Sequence, residues 1–188
     1  MKKLVALAVA SALSTAAFAA PETYSLDPNH TLPRFEYSHL GYSMQLSRFD
    51  KTTGKIVLDR EAHTGSADIV IDTKSVNTGS TLFNGHIQGE GLLDTDKFPT
   101  ITFKSNDFKF DGDKLVAVNG DLTIKDVTKP VSLTVLSFKC MPHPMLKKDA
   151  CGATATTTIK RTEFHAGKYA PYVSDEVTIT LPIEAIKE

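Results

Sequence analysis

The chain has 188 residues, 21 Lys and Arg against 22 Asp and Glu, two Cys and no Trp. That length suits one domain whose core is large enough to be solid or hollow. The balanced charge and the lack of a basic stripe argue against nucleic acid as a partner, and no fixed repeat or Pro- and Gly-rich linker divides the chain.

Residues 1–19 read as a signal peptide. Lys2 and Lys3 open it, residues 4–13 are an apolar run too short to span a bilayer, and Ala17-Phe18-Ala19 is a small-residue cleavage site. Cleavage leaves 19 basic residues against 22 acidic, a balance of −3, and no Cys next to the cut to carry a lipid. Residues 20–188 are then one soluble domain exported to the periplasm. In that oxidising compartment Cys140 and Cys151 are expected to pair, closing a short loop. The spacing is not C-x-x-C, so a redox-active pair is the weaker reading.

Tyr24 to His30 reads as a short strand ending in a turn at Asp27-Pro28. Residues 32–40 form the next strand, with Phe35, Tyr37 and His39 on the inward face and Arg34, Glu36 and Ser38 outward. Residues 44–49 and 54–58 are the next pair, followed by 64–72, where Ile69 and Ile71 oppose Asp68, Val70 and Asp72. From 73 to 91 the period of 2 is lost. Residues 80–87 suit a short helix with Leu82, Phe83, His86 and Ile87 on one side, and the segment reads as a lid over one end of the β structure. Four nearby glycines argue against a longer helix.

Strands resume at 100. Ile101 and Phe103 alternate with Thr102 and Lys104, while Phe108 and Phe110 alternate with the opposite parity, so a bulge is expected between Ser105 and Asp107. Asp111-Gly112-Asp113 is hairpin chemistry. Val116, Val118, Gly120, Leu122 and Ile124 then share a face, and Gly120 suits a close approach by another group. Residues 128–140 form a long strand that changes parity near Leu136, and 152–161 and 173–183 complete the set. Pro182 belongs at an edge or a strand end. About eight long antiparallel strands favour a closed barrel, which removes costly edges, over a β-sandwich.

Catalytic constellations are sparse. No H-E-x-x-H or G-x-S-x-G pattern occurs, and a metal site would need His30, His39 and His86 to converge in space. An exported His-dependent metalloenzyme acting on a hydrophobic substrate, and a filled barrel that binds partners through its surface, stand as alternatives to a ligand carrier. Met141 to Leu146 has the composition of a contact surface for a homodimer.

The chain resembles the YceI-like family of exported, lipocalin-like barrels that bind polyisoprenoids. The resemblance runs from Tyr24 to Ile183. It is carried by Tyr24-x-Leu26-Asp27-Pro28-x-His30, Phe35-x-x-x-His39-Leu40-Gly41, Asp72 with Ser75-Val76-Asn77-Thr78, Phe98-Pro99-x-Ile101-x-Phe103-x-Ser105, and above all residues 120–131, GDLTIKDVTKPV. Where the family usually shows His-Gly, this chain has Lys125-Asp126. The resemblance implies an eight-stranded antiparallel barrel with a short helical lid, no catalytic activity, no cofactor beyond the bound lipid, and transient contact with a membrane. The ligand implied is an isoprenoid quinone such as ubiquinone or a polyprenyl phosphate, and the scarcity of clustered Arg and Lys favours the neutral quinone. The ligand-binding residues expected are Phe35, Tyr37, His39, Phe83, His86, Ile87, Ile101 and Phe103, with His39 or His86 at the head group.

Overall fold

The computed structural model describes residues 20–188, so the predicted signal peptide lies outside the described residues. The elements are β1 (Glu22–Leu26), β2 (Arg34–His39), β3 (Ser43–Phe49), β4 (Thr52–Asp59), β5 (Thr64–Asp72), β6 (Val76–Asn77), α1 (Thr81–Ile87), β7 (Thr100–Asp111), β8 (Lys114–Ile124), β9 (Val127–Pro142), β10 (Asp149–Lys160) and β11 (Glu176–Lys187). Pairing runs β1-β4-β5-β7-β8-β9-β10-β11, and β11 pairs back onto β1. Eight antiparallel strands therefore close into the expected barrel. The remaining strands, β2, β3 and β6, extend from β11 at one end.

β11 serves two neighbours. Thr178 to Thr180 pair with β2, and Ala185 to Lys187 pair with β1. Pro182 lies between these stretches rather than at an edge or an end, which corrects the sequence expectation. The reason is local. Glu184 turns its backbone away from β10, accepting from Asp27 N at 2.8 Å and receiving Thr31 Oγ1 at 3.0 Å. Two residues back, Pro182 turns the same way, into the gap between the two neighbours, where no N–H is required.

Other details follow the pattern of side chains. The register of β7 on β8 shifts between Lys104 and Asp107, where the parity change placed a bulge. A second irregularity, between Lys109 and Phe110, leaves Val116 without a partner and turns it outward, 38% exposed. Leu115 takes the inward position instead, so Val116 does not share the face assigned to it. β9 shifts register on β10 at Leu136, as its change of parity implied. β11 begins at Glu176 and not at 173, because residues 166–175 form a loop held by Arg161, as described below. α1 starts where Ser80 Oγ accepts from Phe83 N at 3.4 Å. Phe83, His86 and Ile87 face the barrel, but Leu82 is 85% exposed, against the expectation that all four share one side.

Candidate functional site

The barrel encloses a cavity of about 670 Å³. That is more than four times the ~150 Å³ apolar hole that suffices for benzene, and within the usual ligand-pocket range of roughly 300–1,000 Å³. The wall is built by the inward residues of the strands, mostly large and apolar, Phe35, Ile69, Phe103, Leu122, Leu133 and Ile179 among them, while β10 contributes the small Gly152, Ala153, Ala155 and Thr157. No Asp or Glu fronts the cavity.

The floor lies where β1 meets β11. Tyr24, Leu58 and Ala185 are buried there at 1%, 3% and 1% exposure, with Phe138 and the Cys140–Cys151 disulfide packed against them. The two cysteines sit directly opposite each other across β9 and β10. Tyr24 donates its hydroxyl proton to Glu22 at 2.6 Å, and Lys187 Nζ donates to the other oxygen at 2.5 Å. These two donors, Lys187 first, hold the Glu22 carboxyl below its ordinary range. Burial, reinforced by Glu22, pushes the Tyr24 phenol up to about 12.

The other end is open. Leu40, Phe83, Tyr169 and Tyr172 both line the cavity and stand exposed, which defines its mouth. The His86 ring lies 5.7 Å from Phe83 and stacks at 5.5 Å on Tyr169, joining α1 to the 166–174 loop. Arg161, 9% exposed, holds that loop from inside. Its Nε donates to Ser174 O at 2.7 Å, Nη1 to Ala166 O at 2.7 Å and Lys168 O at 2.8 Å, and Nη2 to Val173 O at 2.6 Å. Burial draws the guanidinium below its ordinary value, with Asp175 and Tyr37 opposing that pull.

All eight residues singled out from the sequence front this cavity: Phe35, Tyr37, Ile101 and Phe103 on its wall, and His39, Phe83, His86 and Ile87 towards its mouth. Burial pushes the Tyr37 phenol up, against the hydrogen bond with Ser47. The three histidines considered for a metal do not converge. His39 and His86 front the cavity, whereas exposed His30 bonds Asp27 at 2.7 Å and approaches Glu184 at 3.8 Å outside it. Sequence reasoning missed Arg161 and the mouth tyrosines Tyr169 and Tyr172. The signal available was one Arg in an otherwise Thr- and Ala-rich strand end, followed by a segment with no period.

The comparisons with known proteins agree with this geometry. A YceI-like domain model matches residues 24–185. Protein YceI of Escherichia coli O6:H1 is 32% identical over 190 residues, covering 100% of this chain and 98% of that protein. The crystal structure of Burkholderia cenocepacia BcnA matches with a TM-score of 0.70 at 23% identity, covering 85% of this chain and 98% of that one. A polyisoprenoid binding domain from Saccharophagus degradans matches with a TM-score of 0.65 at 20% identity, over 88% and 98% of the two chains. By its family model, its full-length relative and its barrel, the chain belongs to the YceI-like family.

Proposed function

We propose that the protein binds a long-chain isoprenoid lipid inside the barrel and holds or carries it in the periplasm, without chemical change to it. The observation that carries this reading is the continuous apolar cavity open at one end. The Saccharophagus degradans neighbour, named as a polyisoprenoid binding domain, supports the same ligand class. Phe35, Tyr37, Ile101 and Phe103 would pack on the tail. Phe83, His86 and Ile87 would cover it, and His39 or His86 would hydrogen-bond the head.

The head-group reading favours a quinone such as ubiquinone over a phosphate. The cations at the cavity are Arg34, Arg161 and Lys168. Arg161 is already bonded to four carbonyl oxygens, and a diphosphate wants several free donors.

Energetics favour reversible holding. Transfer from water is worth about 0.8 kcal/mol per methylene, so a tail of tens of carbons would exceed the ceiling of roughly 20 kcal/mol on measured affinities. The relevant exchange is with a bilayer, where the tail is already dry, and the net difference is small.

The test is solvent extraction of the purified mature protein followed by mass spectrometry. A polyprenyl lipid in the extract, and a raised unfolding temperature when ubiquinone is returned to the emptied protein, are expected. No such lipid and no uptake would end the proposal.

A further inference from the structure

We propose that the mouth of the barrel is a bilayer-docking surface, on which the β2–β3 turn, α1 and the 166–174 loop set down on lipid. An isoprenoid would then pass between membrane and cavity without crossing water. This deepens the isoprenoid-binding reading and rests on it.

Three observations carry the proposal. The first is a cluster of exposed apolar side chains at the opening. Another such group, Met141, Met145 and Leu146, lies at the far β9–β10 tip, away from the cavity mouth and beside Lys147, Lys148 and Asp149. At the opening the exposure is high. Tyr42 is 87% exposed, Leu82 85%, Tyr172 76%, Leu40 48% and Tyr169 45%. All belong to the three segments around the mouth. Leaving such groups in water is unfavourable, and a clustered patch at a cavity opening marks a contact surface. Exposed Tyr and Leu match the bilayer interface, where the phenol stays among head groups and the ring or alkyl chain is dry.

The second is charge. Residues 39–43, 80–87 and 166–174 contain no Asp or Glu and one Lys, although the chain holds 22 acidic residues. The floor end is the reverse, with Asp59, Arg60, Glu61, Asp111, Asp113, Lys147, Lys148 and Asp149 at or beside its hairpin tips. The three segments themselves carry no carboxylate to repel anionic phospholipid. Two acids beside them are engaged, Asp126 of the β8–β9 turn with His165 at 3.1 Å and Asp175 with Thr162 at 2.7 Å.

The third is preorganisation. Leu40 N donates to Tyr172 O at 2.9 Å, tying the β2–β3 turn to the loop. The His86–Tyr169 stack ties the loop to α1, and Arg161 anchors the loop from below. The three segments thus form one rim, which loses little conformational entropy on docking.

The experiment sediments the mature protein with sucrose-loaded vesicles of phosphatidylethanolamine and phosphatidylglycerol that contain no isoprenoid. Wild-type protein is expected in the pellet. The double variant Tyr42→Ser/Leu82→Ser alters two exposed side chains that do not line the cavity. Its partition onto vesicles should drop at least about tenfold, while its thermal unfolding and its uptake of detergent-dispersed ubiquinone stay unchanged. Wild-type protein left in the supernatant, or a variant that partitions equally, overturns docking. So does a vesicle-free dimer, seen by analytical ultracentrifugation, that the same two substitutions dissolve. Wild-type protein that takes up quinone from detergent but ignores vesicles overturns docking alone; wild-type protein that does neither overturns the isoprenoid-binding reading with it.

Discussion

At Gly120 a Cβ would stand against the Lys104 carbonyl oxygen and 2.7 Å from Phe103 Cζ. The absent methyl is what lets the Phe103 ring lie across β8 as part of the cavity wall. Gly120→Ala should therefore destabilise the protein by about 1–3 kcal/mol, the usual penalty of overpacking, and push Phe103 into the space the ligand would fill. A lower urea midpoint together with weaker ubiquinone uptake is the expected result; an unchanged midpoint would show that the strand yields without strain. Arg161 makes the opposite argument, because here a side chain supplies what the backbone lacks. Its four carbonyl partners lie in a loop with no strand to satisfy them. Arg161→Met keeps much of the bulk but leaves those oxygens unpaired, at about 3 kcal/mol or more. Proteolysis should then cut within 166–174 faster than in wild type, and equal cutting rates would refute the anchoring role. Five of the cavity residues, Phe35, Tyr37, His39, Ile101 and Phe103, were legible because strand parity decides inward from outward. Phe83, His86 and Ile87 came from the one-sided pattern of α1, which also misplaced Leu82. Arg161 was not legible, since its partners are carbonyl oxygens, which no sequence pattern displays.

The β9–β10 hairpin shows what the element scale adds. Its pairing runs from Pro142–Asp149 at the tip to Thr134–Thr156 and stops there, although both strands continue. Pro130 on β9 has no N–H to offer, and Lys129 reaches past the unpaired stretch to Glu163 at 3.1 Å. The disulfide lies in the paired half, between Cys140 and Cys151 on the floor side. Closing a loop of this size by a covalent link should be worth about 2–3 kcal/mol, mostly by restricting the unfolded chain. Cys140→Ala/Cys151→Ala should lower the stability by that amount in urea while the barrel's circular dichroism spectrum stays the same. A loss of the spectrum would mean that the bridge is needed to form the hairpin. Bulges divide in the same way between what a sequence displays and what it hides. Those near Ser105 and Leu136 were visible as changes in apolar parity along a strand. The one at Val116 was hidden because Leu115 and Val116 are both apolar, and either can be inward until the partner strand fixes the register.

Across the whole molecule the two ends differ in kind, and the difference follows from how the ring closes. A closed barrel of about eight long antiparallel strands was readable from turn chemistry and length. That β2 and β3 hang on β11 outside the ring, so that β1 pairs with β4, was not. Nor was the closing contact, because β1 and β11 are far apart in sequence and both look like ordinary strands. Closure rests on three ladder pairs, Tyr24–Lys187, Ser25–Ile186 and Leu26–Ala185, with the Glu22 carboxylate receiving Lys187 across that seam and held in place by Tyr24 on its own strand. The floor is therefore held by a buried phenol that stays protonated, since a phenolate there would lose hydration and face the Glu22 carboxylate. The Tyr24 pKa is raised from 10.0 to about 12 in the folded protein, so the native state binds this proton more tightly than the unfolded chain does. A raised pKa contributes stability that is complete below the unfolded value and is lost as pH climbs to the folded one. The urea midpoint should then fall between pH 10 and pH 12 as that contribution disappears. Tyr24→Phe removes the proton and its linkage together. The variant should begin less stable at neutral pH, with Glu22 missing a donor, and should lose less of its remaining stability across the alkaline window. Parallel decline of the two proteins would place the alkaline sensitivity elsewhere and leave the floor network without the closing role assigned to it.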